Sequence, residues 1–313
     1  MSDTQTLQPW SDPERAADGS HRAFATLEER LHTLWFYTNS WCNIACEGCY
    51  VESSPRNKQM QNMTVEHLEY YLDQVSQDPE TLQVAFTGGE PFGNPHMCRM
   101  IRTALKRGHR VLVLTNAMSP MQGKLVWGAL ETIISEYGNQ ITFRVSFDHP
   151  DAEQHDVIRG KGAFETAFRG LEMLASVDSQ VDLAGQSVTD DPEQWLRTEY
   201  QALAEMAGLK EFDAQDPSRM IIFPRMEETD VFPVEITTTC VARGIVDPQQ
   251  YMCASQRMVV WHANTEHPVV HPCTIMFELE HAMGQKLGEP GERVLLSDKR
   301  CSSFCMGGGS CTG

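Results

Sequence analysis

The sequence has no long apolar segment and no export signal. It contains no run of the roughly 20 apolar residues that a transmembrane helix needs. Its start, MSDTQTLQPWSDPERAADGS, lacks the basic residues and the apolar stretch of a secretory signal peptide. The sequence therefore predicts a cytoplasmic protein without a membrane anchor.

Basic residues are also scarce. The 313-residue chain has 25 Lys and Arg against 43 Asp and Glu, which gives a formal charge of −18. A broad phosphate-binding face needs clustered Lys and Arg, so we do not expect nucleic acid as a partner. Apolar residues make up 41% of the chain, which excludes a disordered protein and suits one large α/β domain, alone or with an appendage.

Ten cysteines stand out against this ordinary composition. In a reducing compartment they do not form a disulfide framework, so metal ligation or redox chemistry is the better interpretation. Most fall into two groups, one at positions 42–49 and one beyond position 250. Cys98 and Cys240 stand alone, and we interpret them as packed thiols.

Short apolar or β-branched runs alternate with segments of helical period. This alternation predicts parallel βα units in an α/β fold. The predicted strands are Leu34–Thr38, Leu82–Thr87, Arg110–Thr115, Ile141–Phe147, Val181–Gly185 and Met220–Phe223, and the predicted helices are Thr64–Ser76, Pro95–Arg107, Met121–Tyr137, Phe164–Ser176 and Asp191–Ala207.

Composition divides the chain into three regions. Residues 1–33 are polar and predict a mobile arm with one short helix at Ala23–Leu31. Residues 34–225 carry the alternating pattern. From about Met226 the alternation stops, and residues 226–313 are rich in Cys, Gly, Pro, Thr and His, which predicts a small C-terminal extension.

The early cysteine group follows the first predicted strand in the sequence SWCNIACEGCYVESSP. Cys42, Cys46 and Cys49 have the spacing C-x3-C-x2-C. Three thiolates on one loop can hold three irons of a 4Fe–4S cluster and leave the fourth iron for another ligand. A zinc site and three unrelated thiols are the alternatives, although zinc would need a fourth nearby ligand.

A glycine-rich turn, Gly88-Gly89-Glu90-Pro91 after Thr87, follows the second predicted strand. Paired glycines let the backbone approach a ligand closely, and a carboxylate can accept from an ammonium group. With the cysteine loop one βα unit earlier, the chain resembles the radical S-adenosylmethionine (SAM) superfamily from about Leu34 to Pro224. The resemblance implies a partial (βα)6 barrel whose cysteine loop holds a 4Fe–4S cluster and whose Gly-Gly-Glu-Pro turn contacts the methionyl amine of SAM.

The resemblance also implies roles for single residues. Asn116 ends the third strand and faces the cofactor in many relatives, and Ser146 ends the fourth strand near the ribose or the carboxylate. Arg159 stands in a loop that resembles one binding the methionyl carboxylate. Tyr50 follows the third cysteine, whereas relatives often place an aromatic residue before it, where this chain has Gly48. The alternatives are a helix cap for Ser146 and a surface ion pair for Arg159.

The late cysteine group predicts a second site. Two predicted strands, Met258–Trp261 and Pro268–His271, form a hairpin between Cys253 and Cys273, and Cys301 and Cys305 follow. This layout resembles the twitch form of the SPASM extension, which implies an auxiliary 4Fe–4S cluster. The spacing departs from that form, since C-x3-C replaces C-x2-C and Cys311 is additional. Cys273, Cys301, Cys305 and Cys311 are therefore a rival ligand set, and structural zinc is an alternative to the cluster.

These features predict an enzyme that uses SAM as its cofactor. The resemblance implies a flavodoxin- or ferredoxin-type reductant and a 5′-deoxyadenosyl radical that abstracts hydrogen from a substrate. Because only about forty residues precede Cys42, we expect a small-molecule substrate, with a peptide or protein as the alternative. A non-catalytic iron–sulfur scaffold or electron-transfer protein is the alternative of another class.

Overall fold

The computed structural model describes residues 9–224 and 234–306. Their strands are β1 Phe24–Thr26, β2 Thr33–Tyr37, β3 Gln83–Thr87, β4 Arg110–Thr115, β5 Ile141–Ser146, β6 Gln180–Ser187, β7 Met220–Pro224, β8 Gln256–Val260, β9 Val269–His271 and β10 Arg293–Leu295. Their α-helices are α1 Val65–Leu72, α2 Met97–Lys106, α3 Ser119–Gln122, α4 Lys124–Tyr137, α5 Ala152–Arg159, α6 Ala163–Ser176, α7 Glu193–Ala207, α8 Thr238–Ala242 and α9 Met252–Ser255. None of these helices is long and apolar enough to cross a membrane.

An eight-stranded sheet organises the described residues. Its order is β7-β6-β5-β4-β3-β2-β8-β9, with β2 to β8 parallel and β9 antiparallel to β8. Side chains alternate between the two faces, because successive strand residues point in opposite directions. Leu34 and Phe36 of β2 pack into the helix-facing core, whereas Trp35 and Tyr37 join a separate apolar cluster inside the curved sheet. The α/β partial barrel expected from the sequence is confirmed.

The six predicted strands correspond to β2–β7, and the predicted and observed ends differ by two residues or fewer. The structure divides the predicted helix Met121–Tyr137 into α3 and α4 at Gly123. It also places helix α5 where the sequence predicts a loop. Asp151 caps α5 by accepting hydrogen bonds from the backbone N–H groups of Glu153 and Gln154.

The predicted helix at Ala23–Leu31 is wrong, because this segment contains strand β1, which pairs antiparallel with β10. Ala23, Ala25 and Leu27 are buried at every second position, which suits a strand and not a helix. The arm also packs on the C-terminal region, since buried Arg22 forms an ion pair of 2.6 Å with Glu235.

The C-terminal region contributes two strands to the main sheet. The predicted hairpin is present as β8 and β9, with Met258 opposite His271. Unexpectedly, β8 also pairs with β2 in parallel register, Trp35 opposite Met258 and Tyr37 opposite Val260. The strand that leads into the early cysteine loop is therefore held between β3 and a strand from the Cys-rich region.

We predict that Gly170→Ala destabilises the fold. Gly170 lies in α6 against residue 117, and an added methyl group would collide with the carbonyl oxygen of Ala117. Such overpacking costs about 1–3 kcal/mol. The measurement is the free energy of unfolding in denaturant. Gly128→Ala in α4 is the matched control, because its methyl group meets no atom and removes a flexible helical glycine. Equal stability of the two variants would contradict the prediction.

Candidate active site

The early cysteine loop begins at the carboxyl end of β2, at the edge of the barrel. Cys42 is buried, and Cys46 and Cys49 are half-buried. The Cys49 N–H donates to the Cys46 carbonyl oxygen at 3.4 Å. Burial raises the pKa of Cys42 to about 12, and negative charge on Glu90, Cys46 and Cys49 adds to the shift. The three thiols therefore lie close enough together to affect one another's ionisation.

The glycine turn packs directly against the backbone that precedes Cys42. The Gly89 N–H donates to the Asn39 carbonyl oxygen at 2.8 Å, and the Glu90 N–H donates to that of Trp41, also at 2.8 Å. A side chain at Gly88 would meet the Asn39 oxygen at 2.6 Å, and one at Gly89 would collide with the Trp41 carbonyl. Both glycines are needed for this close approach to the cysteine loop, whatever they do for a ligand.

Glu90 has its carboxylate buried behind the turn. One oxygen accepts from the Phe92 N–H at 3.2 Å and the Thr115 hydroxyl at 2.8 Å, and the other accepts from the Asn116 N–H at 2.9 Å. Burial raises its pKa to about 7, although these donors oppose the shift. These three protein donors hold the ends of β3 and β4 together. A carboxylate has about four acceptor sites, so acceptance from the cofactor amine stays a prediction. Pro91 begins a short 3₁₀ helix directly after Glu90.

Asn116 connects the end of β4 to the cysteine loop. Its side-chain amide donates to the Asn43 side-chain oxygen at 2.9 Å and lies 3.7 Å from the Cys42 sulfur. Its own side-chain oxygen accepts from the Met118 N–H at 3.0 Å. Asn116 therefore contacts a predicted cluster ligand directly, whereas its contact with the cofactor stays a prediction.

Arg159, the last residue of α5, forms a bidentate ion pair with Asp148. The Nε–Oδ2 and Nη2–Oδ1 distances are 2.7 and 3.1 Å. The pair is almost buried, so it is not the surface ion pair that was the alternative interpretation. Burial raises the pKa of Cys46, the positive charge of Arg159 opposes that shift, and the negative charge of Asp148 adds to it. Arg159 is thus the nearby cation that favours a Cys46 thiolate.

Ser146 and Tyr50 belong to different segments of this site. Ser146 ends β5 and is half-buried. Tyr50 is 38% exposed and contacts the ring of Phe277 edge-on, with ring centroids 5.7 Å apart. Phe277 in turn stacks on Tyr37 at 6.0 Å. Residues from the C-terminal region therefore cover the barrel next to the cysteine loop.

The late cysteines gather in a second place. Cys253, Cys273 and Cys301 are buried in one apolar cluster, and half-buried Cys305 packs against it. Burial raises the pKa of Cys253 well above its usual value, and charge on the other three thiols adds to the shift. Cys311 and Met226 lie outside the described residues. Within residues 9–224 and 234–306, no three His, Cys, Asp or Glu side chains converge on a single metal ion.

A buried histidine pair was not foreseen. The Nε2 atoms of His262 and His271 lie 3.0 Å apart, and the His271 Nδ1 lies 3.0 Å from the Met276 carbonyl oxygen. Since a carbonyl oxygen only accepts, His271 carries its proton on Nδ1. Its unprotonated Nε2 then accepts a hydrogen bond from the Nε2–H of His262. The chain bends after β8, and strand periodicity carries no signal for that bend.

Comparison with known proteins identifies this arrangement. Residues 36–189 match the model of the radical SAM superfamily. These residues form a radical SAM domain. The antilisterial bacteriocin subtilosin biosynthesis protein AlbA of Bacillus subtilis is 30% identical over 146 residues, which are 46% of this chain and 30% of AlbA. An AdoMet-dependent heme synthase of Oleidesulfovibrio alaskensis is 32% identical over 151 residues, 47% of this chain and 36% of the synthase.

A solved structure shares the fold of this radical SAM protein. Streptococcus suis SuiB, crystallised with S-adenosylmethionine, superposes with a TM-score of 0.50 at 13% identity, covering 74% of this chain and 50% of SuiB. At that identity the likeness concerns the fold alone. The chain spans about a third of the length of the two curated relatives.

We predict that Glu90→Gln destabilises the protein although it preserves shape. The amide has one acceptor oxygen where the carboxylate has two, so at least one buried donor loses its partner, at a cost of about 1–3 kcal/mol. Denaturant unfolding measures the loss. Glu136→Gln is the matched control, because the exposed ion pair of Glu136 with Arg102 contributes at most about 1 kcal/mol. If Glu90→Gln costs no more than the control, Glu90 does not hold the two strand ends.

Proposed function

We propose that this protein cleaves S-adenosylmethionine reductively at a 4Fe–4S cluster and uses the resulting 5′-deoxyadenosyl radical to abstract a hydrogen atom from its substrate. One observation carries the proposal. Cys42, Cys46 and Cys49 lie together at the carboxyl edge of the barrel, against the Gly88–Pro91 turn. Active sites of barrel folds lie at this edge.

The donor set fits the proposed cluster. Soft thiolate sulfur is the usual ligand of iron in such clusters, and the loop offers three thiols and not four. The Asn116 amide lies within hydrogen-bonding distance of the Cys42 sulfur. Hydrogen bonds of this kind orient metal ligands and adjust the metal's properties. Arg159 adds positive charge beside Cys46.

The rim residues would bind SAM. The Gly88–Pro91 turn offers backbone groups for the amine. Arg159 uses its Nε and Nη2 atoms on Asp148, and its other guanidinium donors would bind the methionyl carboxylate. Ser146 offers a hydroxyl at the end of β5, and Tyr50 offers an exposed ring. Protein groups of this kind orient the cofactor and the target C–H bond and exclude water.

We further propose that Cys253, Cys273, Cys301 and Cys305 hold an auxiliary 4Fe–4S cluster. Their burial in one apolar cluster supports this set. Arg300, which precedes Cys301, is paired with Glu278 at 2.6 Å and with Asp298 at 2.8 Å, and these pairs fix the start of the Cys301–Cys305 turn. The set that includes Cys311 and a structural zinc ion are the alternatives.

Two substrate classes have support among the relatives. The heme synthases favour a small molecule, which is our proposal. AlbA and the mycofactocin maturase MftC, 26% identical over 153 residues, favour a peptide as the second candidate. We propose a flavodoxin- or ferredoxin-type protein as the electron donor. Exposed Trp41, which precedes Cys42, and exposed Lys58 line a cavity of about 870 Å³, and we propose that the donor docks there.

We predict about eight irons per chain after anaerobic reconstitution, since two 4Fe–4S clusters would be present. The triple variant Cys42→Ala, Cys46→Ala, Cys49→Ala should keep about four irons and release no 5′-deoxyadenosine with SAM and dithionite. The double variant Cys253→Ala, Cys273→Ala should also keep about four. Metal analysis and chromatography measure both outcomes. Cys98→Ala is the matched control, because Cys98 packs in α2 away from both groups.

Other iron contents would overturn specific parts of the proposal. Four irons with one zinc in the unmodified protein would make the second site structural. An absence of iron under conditions that load a related enzyme would refute the whole proposal. Normal 5′-deoxyadenosine release by the triple variant would refute the first site alone.

The substrate class is tested with fractions of a cell extract. Reconstituted protein, SAM and reductant are incubated with the low-molecular-mass filtrate or with the retained peptides and proteins. We expect the filtrate to increase 5′-deoxyadenosine formation, because a bound substrate supplies the hydrogen atom that completes the reaction. Stimulation by the retained fraction alone would contradict the small-molecule proposal and favour the peptide candidate.

A further inference from the structure

Two buried hydroxyl groups near the cysteine loop have no partner in the part of the chain that the structure describes. They are the phenol of Tyr37, which is 1% exposed, and the hydroxyl of Ser53, which is 5% exposed. A buried polar group without a hydrogen bond costs free energy, so such groups are rare and require an explanation. Two of them beside one loop indicate a shared, non-protein acceptor.

Tyr37 has a fixed position inside the barrel. It is the last residue of β2, and the barrel-interior cluster around it contains Trp35, Leu112 and Val260. Phe277 stacks on its ring, so the ring cannot swing away from the interior. These neighbours are apolar at the contact, and they offer the phenol no acceptor.

Both hydroxyl groups lie beside the early thiols. Cys49 packs against the same interior cluster as Tyr37 and Val51. Ser53 precedes Ser54, whose carbonyl oxygen accepts from the Cys42 N–H at 3.2 Å. The Ser53 hydroxyl lies next to the Tyr37 phenol and opposes the rise in its pKa, but the two groups do not meet hydrogen-bond geometry. Negative charge on Cys49 and Cys42 also raises the pKa of Tyr37, so its phenol lies near both sulfur atoms.

We propose that Tyr37 and Ser53 donate hydrogen bonds to the sulfur atoms of the cluster held by Cys42, Cys46 and Cys49, and that they raise its reduction potential. This inference rests on the proposed function. Reduction adds negative charge to the cluster, and a hydrogen bond to sulfur stabilises the more negative state. The two hydroxyl groups thus make the first electron easier to accept.

The test is an EPR-monitored redox titration of the reconstituted full-length protein in the absence of substrate. Tyr37→Phe and Ser53→Ala each remove one hydroxyl group and little else. A hydrogen bond to a charged group is worth about 1.5 kcal/mol. Each variant should therefore show about tenfold fewer reduced clusters at a fixed potential. This corresponds to a decrease of ~59 mV in the one-electron reduction potential. The reduction potential of the double variant should decrease further. The auxiliary signal serves as an internal reference that does not move.

Tyr71→Phe is the matched control. Tyr71 is equally buried, but its phenol donates to the Pro268 carbonyl oxygen at 2.8 Å on the helix-facing side of the sheet. Its loss should leave the potential of the first cluster unchanged. A general loosening of the fold would shift both tyrosine variants alike and would overturn the inference.

The outcomes separate this inference from the proposed function. If the unmodified protein forms no cluster on the early cysteines, the proposed function fails first. If the cluster forms and Tyr37→Phe and Ser53→Ala both keep its potential, the two hydroxyl groups do not bond to it and only the inference fails. A shift in one variant alone would assign the donor role to that residue and overturn it for the other.

Discussion

The buried carboxylate of Glu90 is the interaction on which the candidate site depends. It accepts from the end of β4 through Thr115 and Asn116, while its own backbone N–H donates to Trp41 beside Cys42. One side chain therefore fixes the distance between two strand ends and the cysteine loop. Burial of the Glu90 carboxyl group raises its pKa to about 7 and is unfavourable by itself. The three donors offset that cost, and the result is a rim with little freedom to rearrange.

The local sequence was sufficient to predict those strands and loops whose conformation depends on nearby residues. The strands β2–β7 could be predicted because each is a short apolar run bounded by turn residues. The cysteine loop and the Gly88–Pro91 turn could be placed because both directly follow such runs. The error at Ala23–Leu31 arose because the partner strand β10 lies some 270 residues further along the chain. Pairing over that distance leaves no trace in a short window of sequence.

The roles of single residues were harder to predict than their positions. Glu90 was expected to face the cofactor, and its three protein donors became visible only when β3 and β4 were placed side by side. Arg159 was matched by motif, but its pairing with Asp148 depends on how α5 packs against the end of β5. His262 and His271 gave no signal, because their contact arises from a bend in the chain. Contacts between elements, and not residue types, decide these roles.

The pairing of β2 with β8 has a consequence for the order in which the chain is made. During synthesis β2 emerges early, but its partner strand follows more than 200 residues later. Until then one edge of β2 presents unpaired backbone groups, beside three free thiols. Long-range parallel pairing of this kind forms slowly. That open edge, and the cysteine loop next to it, therefore stay exposed at least until β8 has left the ribosome.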